Sequence, residues 1–222
     1  MLYIVSTPIG NLKDITLRAI ETLKSVELIA AEDTRHTKIL THHYDIQTPL
    51  TSFFEHNQLK KGEYLLGLLK EGKNIALVTD AGTPGISDPG FHLIRLAKEN
   101  DIPITVVPGP SALIAALSLS GLPSHRFIFE GFLPVKPPAR RKKLEKFKGE
   151  GRTIIFYESP HRLLKTLKDI EGVLGDPFVV CAREITKKFE EARKGKCHEL
   201  FEHFTKTKPK GEFVLLLQLP EK

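Results

Sequence analysis

The chain has little that would cross-link it or anchor it in a bilayer. Two cysteines, Cys181 and Cys197, stand apart without CxxC spacing, which leaves one bridge open but excludes a disulfide framework or thiolate cluster. No apolar run approaches the ~18 residues of a membrane span, and Met1-Leu2-Tyr3-Ile4-Val5 lacks the charged start of a secretory leader. A cytoplasmic protein with no membrane partner is expected. The nine histidines are scattered, and His42-His43 lacks the i, i+4 spacing that puts two ligands on one helix face, so no metal site is expected. There is no GxGxxG, and hence no support for dinucleotide binding. The run from Gly67 to Lys73 imitates a phosphate-binding loop, but Asn74 replaces the required Ser or Thr. Its order, helix then strand, would also turn the wrong helix end toward a phosphate.

What is present fits a two-domain α/β protein. The 222 residues are 41% hydrophobic, enough for a substantial core, and the net charge of +6 favours an anionic partner. The chain is organised around Val78 to Gly90, where a short apolar strand gives way to Asp80-Ala81-Gly82-Thr83-Pro84-Gly85-Ile86-Ser87-Asp88-Pro89-Gly90 and then a helix with Phe91, Leu93, Ile94 and Leu96 spaced for burial. Three glycines, two prolines and the bonding side chains of Asp80, Ser87 and Asp88 predict a stiff loop. Open α/β sheets bind ligands at the carboxyl ends of their strands.

Other strand-to-helix junctions carry polar residues. Leu2 to Val5 leads through Ser6-Thr7-Pro8-Ile9-Gly10-Asn11 to a helix with Leu17, Ile20 and Leu23 on one face. Leu28 to Ala31 runs into Glu32-Asp33-Thr34-Arg35-His36, which reads either as a helix cap or as part of a site. Ile102 to Val107 ends in Pro108-Gly109-Pro110-Ser111-Ala112, opening a helix so apolar that it is expected to be buried on most sides and to lie at a domain junction. Ser118 to Ser124 reads as the connection between domains 1–118 and 119–222. Beyond it, Arg126 to Leu133 is a strand, and Pro134 to Lys148 packs in Arg140, Arg141, Lys142 and Lys143 with Leu144 and Phe147 on one edge, a density that predicts a nucleic-acid contact. Arg152 to Tyr157, Phe178 to Ala182 and Gly211 to Leu219 are further strands, with Phe189 to Arg193 a candidate antiparallel partner.

The segments Ser6 to Leu12, Glu32 to Arg35, Asp80 to Gly90, Pro108 to Ala112, Tyr157-Glu158-Ser159-Pro160-His161-Arg162 and Arg183-Glu184-Ile185-Thr186-Lys187, taken in order across nearly the whole chain, closely resemble the ribosomal RNA small subunit methyltransferase I family of the tetrapyrrole methylase superfamily. Two turns discriminate within the superfamily. Thr7-Pro8-Ile9-Gly10-Asn11 replaces a GxGPGD-like turn, and Ala81-Gly82-Thr83-Pro84 replaces Gly-Gly-Asp-Pro, both as in the rRNA branch. The resemblance implies a tetrapyrrole methylase-like α/β fold with a mostly parallel N-terminal sheet, a mixed C-terminal sheet and flanking helices. It also implies a homodimer that binds S-adenosylmethionine in a cleft between its domains and methylates a cytidine ribose 2′-oxygen of 16S rRNA in the small ribosomal subunit. Many relatives carry a further C-terminal segment, so any RNA contact made there is not expected of this sequence.

By resemblance the cofactor lies against Pro8, Ala81, Gly82, Thr83, Ile86, Ser111, Ala112, Gly131, Phe132, Glu212, Phe213 and Val214. The residue types are compatible: small residues admit a ligand to the backbone, and Thr83 and Ser111 can bond its polar groups. Glu32, Asp33, Arg35, Glu158, His161 and Arg162 are expected to line the substrate mouth, with His161 or Glu158 assisting proton loss and Arg35, Arg162 and Lys187 holding phosphates. The same clusters could be structural ion pairs. The alternatives are a tetrapyrrole or diphthine methyltransferase of the same fold, or an RNA-binding relative without activity.

Overall fold

Five short strands, β1 (Leu2–Val5), β2 (Leu28–Ala31), β3 (Leu50–Ser52), β4 (Ile75–Val78) and β5 (Ile104–Val107), form a sheet in the order β3-β2-β4-β1-β5. All its pairs are parallel. The computed structural model describes residues 1–219. Parallel strands covered on both faces read as continuous apolar runs, and β4 is buried at every position. Its alternate residues feed two cores. Ala76 and Val78 pack with Val5, Leu23 and Ile29, whereas Ile75 and Leu77 pack with Leu2, Leu65 and Leu93. The connecting helices are α1 (Leu17–Ser25), α2 (Thr34–His43), α3 (Gln58–Lys70) and α4 (Phe91–Glu99). α1 starts where the Thr16 hydroxyl accepts the Ala19 N–H at 3.1 Å.

A second sheet holds β6 (Phe127–Phe132), β7 (Thr153–Glu158), β8 (Phe178–Arg183), β9 (Glu191–Lys196) and β10 (Phe213–Leu217), ordered β6-β7-β10-β8-β9. Only β6 and β7 are parallel neighbours; the other pairs are antiparallel. Leu144 of α6 (Pro137–Glu145), Leu163 and Leu167 of α7 (Leu163–Leu174), and Leu200 and Phe204 of α8 (Cys197–Thr207) share a core with Phe156, Phe213 and Leu215. α5 (Ala112–Ser120) packs against β10. The chain therefore divides between Ser111 and Ala112, earlier than the expected 118/119 boundary, because α5 goes with the second sheet.

Three burial expectations are corrected. Leu17 and Phe91 are 79% and 68% exposed. Each is the first residue of its helix, and helical side chains lean toward the N-terminus, so both reach past the helix end instead of down onto the sheet. In α5, Leu113, Ala116, Leu117 and Ser120 form the buried stripe and leave Ile114 and Leu119 exposed. β3 was not legible in the sequence, because three residues with no alternation carry no period to detect.

Candidate functional site

At the carboxyl edge of the first sheet, three turns are tied together. Thr7 and Gly82 exchange backbone hydrogen bonds of 2.8 and 3.1 Å as an isolated bridge. The Thr7 hydroxyl donates to the Thr79 carbonyl at 2.9 Å, and the hydroxyls of Ser6 and Thr83 lie 2.8 Å apart. The turn after β5 closes in as well, since a Cβ on Gly109 would stand 3.0 Å from that of Ser6. Gly82 has a φ of 89°, and a Cβ there would meet Ile9 only at 3.6 Å, so its requirement for glycine is conformational rather than steric.

A cluster of carboxylates sits beside this knot. Glu32 Oε2 accepts from the Thr79 hydroxyl at 2.5 Å and from the Asp80 N–H at 3.3 Å, and Asp80 Oδ1 accepts from the Asp33 N–H at 3.1 Å. Burial, then the charge of Glu32, raises the Asp80 carboxyl; His36 faces it at 3.7 Å. The same two causes lift Asp88 to about 6, against a hydrogen bond from Thr79. Asp33 caps α2 by accepting the Arg35 N–H at 2.8 Å, and it pairs with the Arg35 guanidinium at 2.6 Å. Those bonds hold the Asp33 carboxyl far below the usual range. The Arg35 side chain is 89% exposed, so the pair lies in solvent.

In the second unit, the register sets one row of residues across the sheet edge: Phe132 faces Tyr157, Glu158 faces Phe213, Phe213 faces Arg183, and Arg183 faces Glu191. A break in register before Phe132, with Gly131 at a φ of 67°, leaves the Phe132 side exposed and its ring 5.7 Å from Tyr157. Glu158 is 2% exposed. Its oxygens accept from the Ser159 N–H at 2.8 Å and the Thr166 hydroxyl at 2.5 Å, with Arg162 Nε 3.3 Å away. Arg162 also donates to the Leu133 carbonyl at 2.6 Å. Arg140 pairs with Asp169 at 2.6 Å and donates to the Val135 carbonyl at 3.1 Å. Two arginines therefore pin the segment that follows Phe132.

Farther along the edge, the loop after β8 clasps the start of β10. The Glu184 N–H donates to the Glu212 carbonyl, the Glu212 N–H donates to Glu184 Oε1, both at 3.0 Å, and Lys187 Nζ bridges Glu184 and Glu212 at 3.0 and 2.7 Å. Burial alone would lower the Lys187 ammonium, but its bonds to Glu212 and Glu184 outweigh that and raise it.

The structure gathers Pro8, Ala81, Gly82 and Thr83 at one edge, with Ala81 and Ile86 exposed beside buried Gly82. The small residues Ala81 and Gly82 leave backbone near the surface, and the Thr83 hydroxyl supplies a polar handle, a set that fits a nucleoside-like ligand. Ser111 follows the turn that abuts Ser6, and Ala112 opens α5. Phe213 and Val214 are 2% and 4% exposed, which leaves a ligand the Glu212 side and not their side chains.

Among the charged residues, Arg140 is corrected: it was expected on an RNA-facing surface but is 2% exposed and neutralised by Asp169. Glu158 and Arg162 form an ion pair at 3.3 Å in which Arg162 Nε makes no hydrogen bond, and Glu158 is held instead by Ser159 and Thr166, which suits anchoring better than contact with a substrate. Arg141 shares Asp169 at 3.1 Å, Lys143 pairs with Glu130, and Lys142 and His161 are exposed. The sequence reading passed over Asp169 and Thr166, and it gave Asp80 and Asp88 only loop-stiffening roles. Glu32 and Asp80 lie far apart in the chain, and no spacing announces that their strands are neighbours. A depression of about 680 Å³ bounded by Leu12, Ile39, His42 and Gln47 contains none of the expected cofactor or substrate residues. Among the described residues no cluster of three or more His, Cys, Asp or Glu could hold a metal, and no helix is long and apolar enough to cross a membrane.

The profile of the tetrapyrrole (corrin/porphyrin) methylases matches residues 1–200. The chain is 53% identical to a ribosomal RNA small subunit methyltransferase I of Escherichia coli O157:H7, over 98% of this chain and 77% of that one. It is 52% identical to the protein of that name from Thermotoga maritima, over 97% of each. In structure it is similar to a cobalt precorrin-4 methyltransferase, with a TM-score of 0.71 at 20% identity over 97% and 93% of the two chains. It is also similar to a Thermus thermophilus uroporphyrin-III C-methyltransferase complexed with S-adenyl homocysteine, with a TM-score of 0.64 at 17% identity over 97% and 96%. The chain thus belongs to the tetrapyrrole methylase family and, within it, to the ribosomal RNA small subunit methyltransferase I group.

Proposed function

We propose that the protein methylates 16S rRNA of the small ribosomal subunit at the 2′-oxygen of a cytidine ribose, working in the cytoplasm as a homodimer. The observation that carries this is identity above 50% along nearly the entire chain to proteins named for small-subunit rRNA methylation. The cofactor is S-adenosylmethionine, which supplies an electrophilic methyl group when bound. Pro8, Ala81 to Thr83, Ile86, Ser111, Ala112, Gly131, Phe132 and the Glu212 edge would hold it. Alignment of acceptor and donor supplies the larger part of such a rate enhancement, up to ~7–11 kcal/mol. A general base contributes ~10²–10⁴-fold. His161 is exposed at the turn whose Glu158 is buried and held by Ser159 and Thr166, so it is the better candidate to take the ribose proton.

Purified protein incubated with radiolabelled S-adenosylmethionine and 30S subunits lacking the modification should place label on one cytidine ribose, located by digestion of the rRNA. Cofactor binding by calorimetry without label on rRNA would reject the substrate assignment. Transfer to a corrinoid or diphthine precursor would replace it.

A further inference from the structure

The row Phe132, Glu158, Phe213, Arg183, Glu191 marks a rim where β6, β7 and β8 end and β9 and β10 begin. At an interstrand spacing of about 4.8 Å this rim is roughly 19 Å long. Its β8–β9 end and the loop before β10 are built at a cost. Glu184 and Thr186 after β8, and Lys208 at the end of α8, have φ values of 50°, 67° and 56°, in a region where long and β-branched residues are outliers. The Thr186 hydroxyl is buried there without a hydrogen-bond partner. Gly211 has a φ of 84°, and a Cβ there would displace the Glu184 carboxylate from its bond with the Glu212 N–H. Arg183 Nε donates to the Lys210 carbonyl at 2.8 Å, which fixes the loop carrying Lys208 and Lys210.

The carboxylates of the clasp are already engaged: Glu184 and Glu212 by Lys187, Glu190 by the Thr186 N–H, and Glu191 by Arg183 and Arg193. Lys188, Lys208 and Lys210 are exposed and have no carboxylate partner among the described residues. Lys188 lies 5.6 Å from the ring centroid of Phe189, which is itself 64% exposed. Exposed lysines on the loops of one sheet edge, one of them over an exposed aromatic ring, suit unpaired nucleic acid, with phosphates on the cations and a base on the ring. On the α6 surface Arg140 is buried and Lys143 is paired, while Lys142 and Lys146 are exposed and make that surface the competing site.

We infer that the β8–β9 end of this rim, with the loop before β10, is the single-stranded RNA track of the enzyme, with Lys188, Lys208 and Lys210 on phosphates and Phe189 beneath a base. The inference rests on the rRNA reading above and names where that substrate lies.

The test measures binding of the full chain to a short, labelled single-stranded RNA by anisotropy across a salt series. Lys188→Gln, Lys208→Gln and Lys210→Gln combined should reduce the magnitude of the log–log salt slope by about 2, from three lost phosphate contacts. Phe189→Ala should weaken binding about tenfold with the slope unchanged. Reversals on and just past α6, Lys142→Glu with Lys146→Glu, should change the slope less. Calorimetry with S-adenosylmethionine should return wild-type affinity for every variant, which reports an intact fold. An unchanged slope in the triple variant, or a larger loss from the α6 reversals, overturns the inference even if the protein methylates 30S subunits. A rim-dependent slope in a protein that transfers no methyl group to rRNA would sustain the rim and reject the activity.

Discussion

The two sheet edges solve the same problem, holding loops still, with different chemistry. In the first unit every strand runs the same way, so only strand-to-helix turns gather at the edge, and they are locked by backbone bridges and small hydroxyls: Thr7 with Gly82, and Ser6 with Thr83. In the second, β10 begins where β7 and β8 end, so chain segments pass in both directions and are stapled by long charged side chains: Arg162 with Glu158, Arg140 with Asp169, and Lys187 with Glu184 and Glu212. Small residues leave backbone open to a ligand, whereas charged staples bring their own counter-charges. Charged groups in the second unit should therefore matter mainly through burial, and those of the first through exposure and crowding.

The largest expected effect breaks a staple. Arg140→Ala leaves Asp169 largely buried with only the half-exposed Arg141 for company, and should destabilise the second unit by about 3 kcal/mol. Urea unfolding followed by a probe in that unit reads it, and a loss no larger than that of a surface substitution would show that the buried pair is not a staple. Next is the glycine of the first-unit bridge. Gly82→Ala forces a positive φ on alanine without a steric clash and should cost about 1 kcal/mol or slightly more. Thermal unfolding measures that cost, and calorimetry with S-adenosylmethionine should show weakened binding in the same variant.

Crowding gives a smaller, pH-dependent effect. Because Asp88 is raised to about 6 from 3.8, the folded state holds its proton more tightly than the unfolded chain. The associated stability is complete below the unfolded value and is lost as pH climbs through about 6. Asp88→Asn should equal the wild type near pH 4 and exceed it near pH 7, by about 1 kcal/mol once solvent access to this half-buried group is discounted. Equal stabilities at both pH values would remove Asp88 from the crowded set. Arg35→Ala is expected to do least: its pair with Asp33 lies in solvent, and the α2 cap needs only the Asp33 carboxylate and a backbone N–H. The unfolding midpoint should not move, so a weakened RNA affinity in that variant would report a substrate contact rather than a structural one.

Residue order alone was enough to read nearly all the strands and helices, because β4 and β10 are unbroken apolar runs and α3 and α7 carry helical periodicity. It was also enough to read the family, since the turns from Ser6 to Lys187 are local signatures whose glycines, prolines and hydroxyls act on their own neighbours. Tertiary structure decided which charges are available. Arg140 and Lys142 look alike in a basic run, yet one is sealed against Asp169 and the other stands in solvent, because α6 turns only one of its faces toward α7. The carboxylate crowd at Glu32, Asp80 and Asp88, and the rim that joins Lys188 to Lys208 and Lys210, exist only once strands distant in sequence become neighbours in a sheet. Electrostatics depends on distance and burial in space, and neither is set by position along the chain.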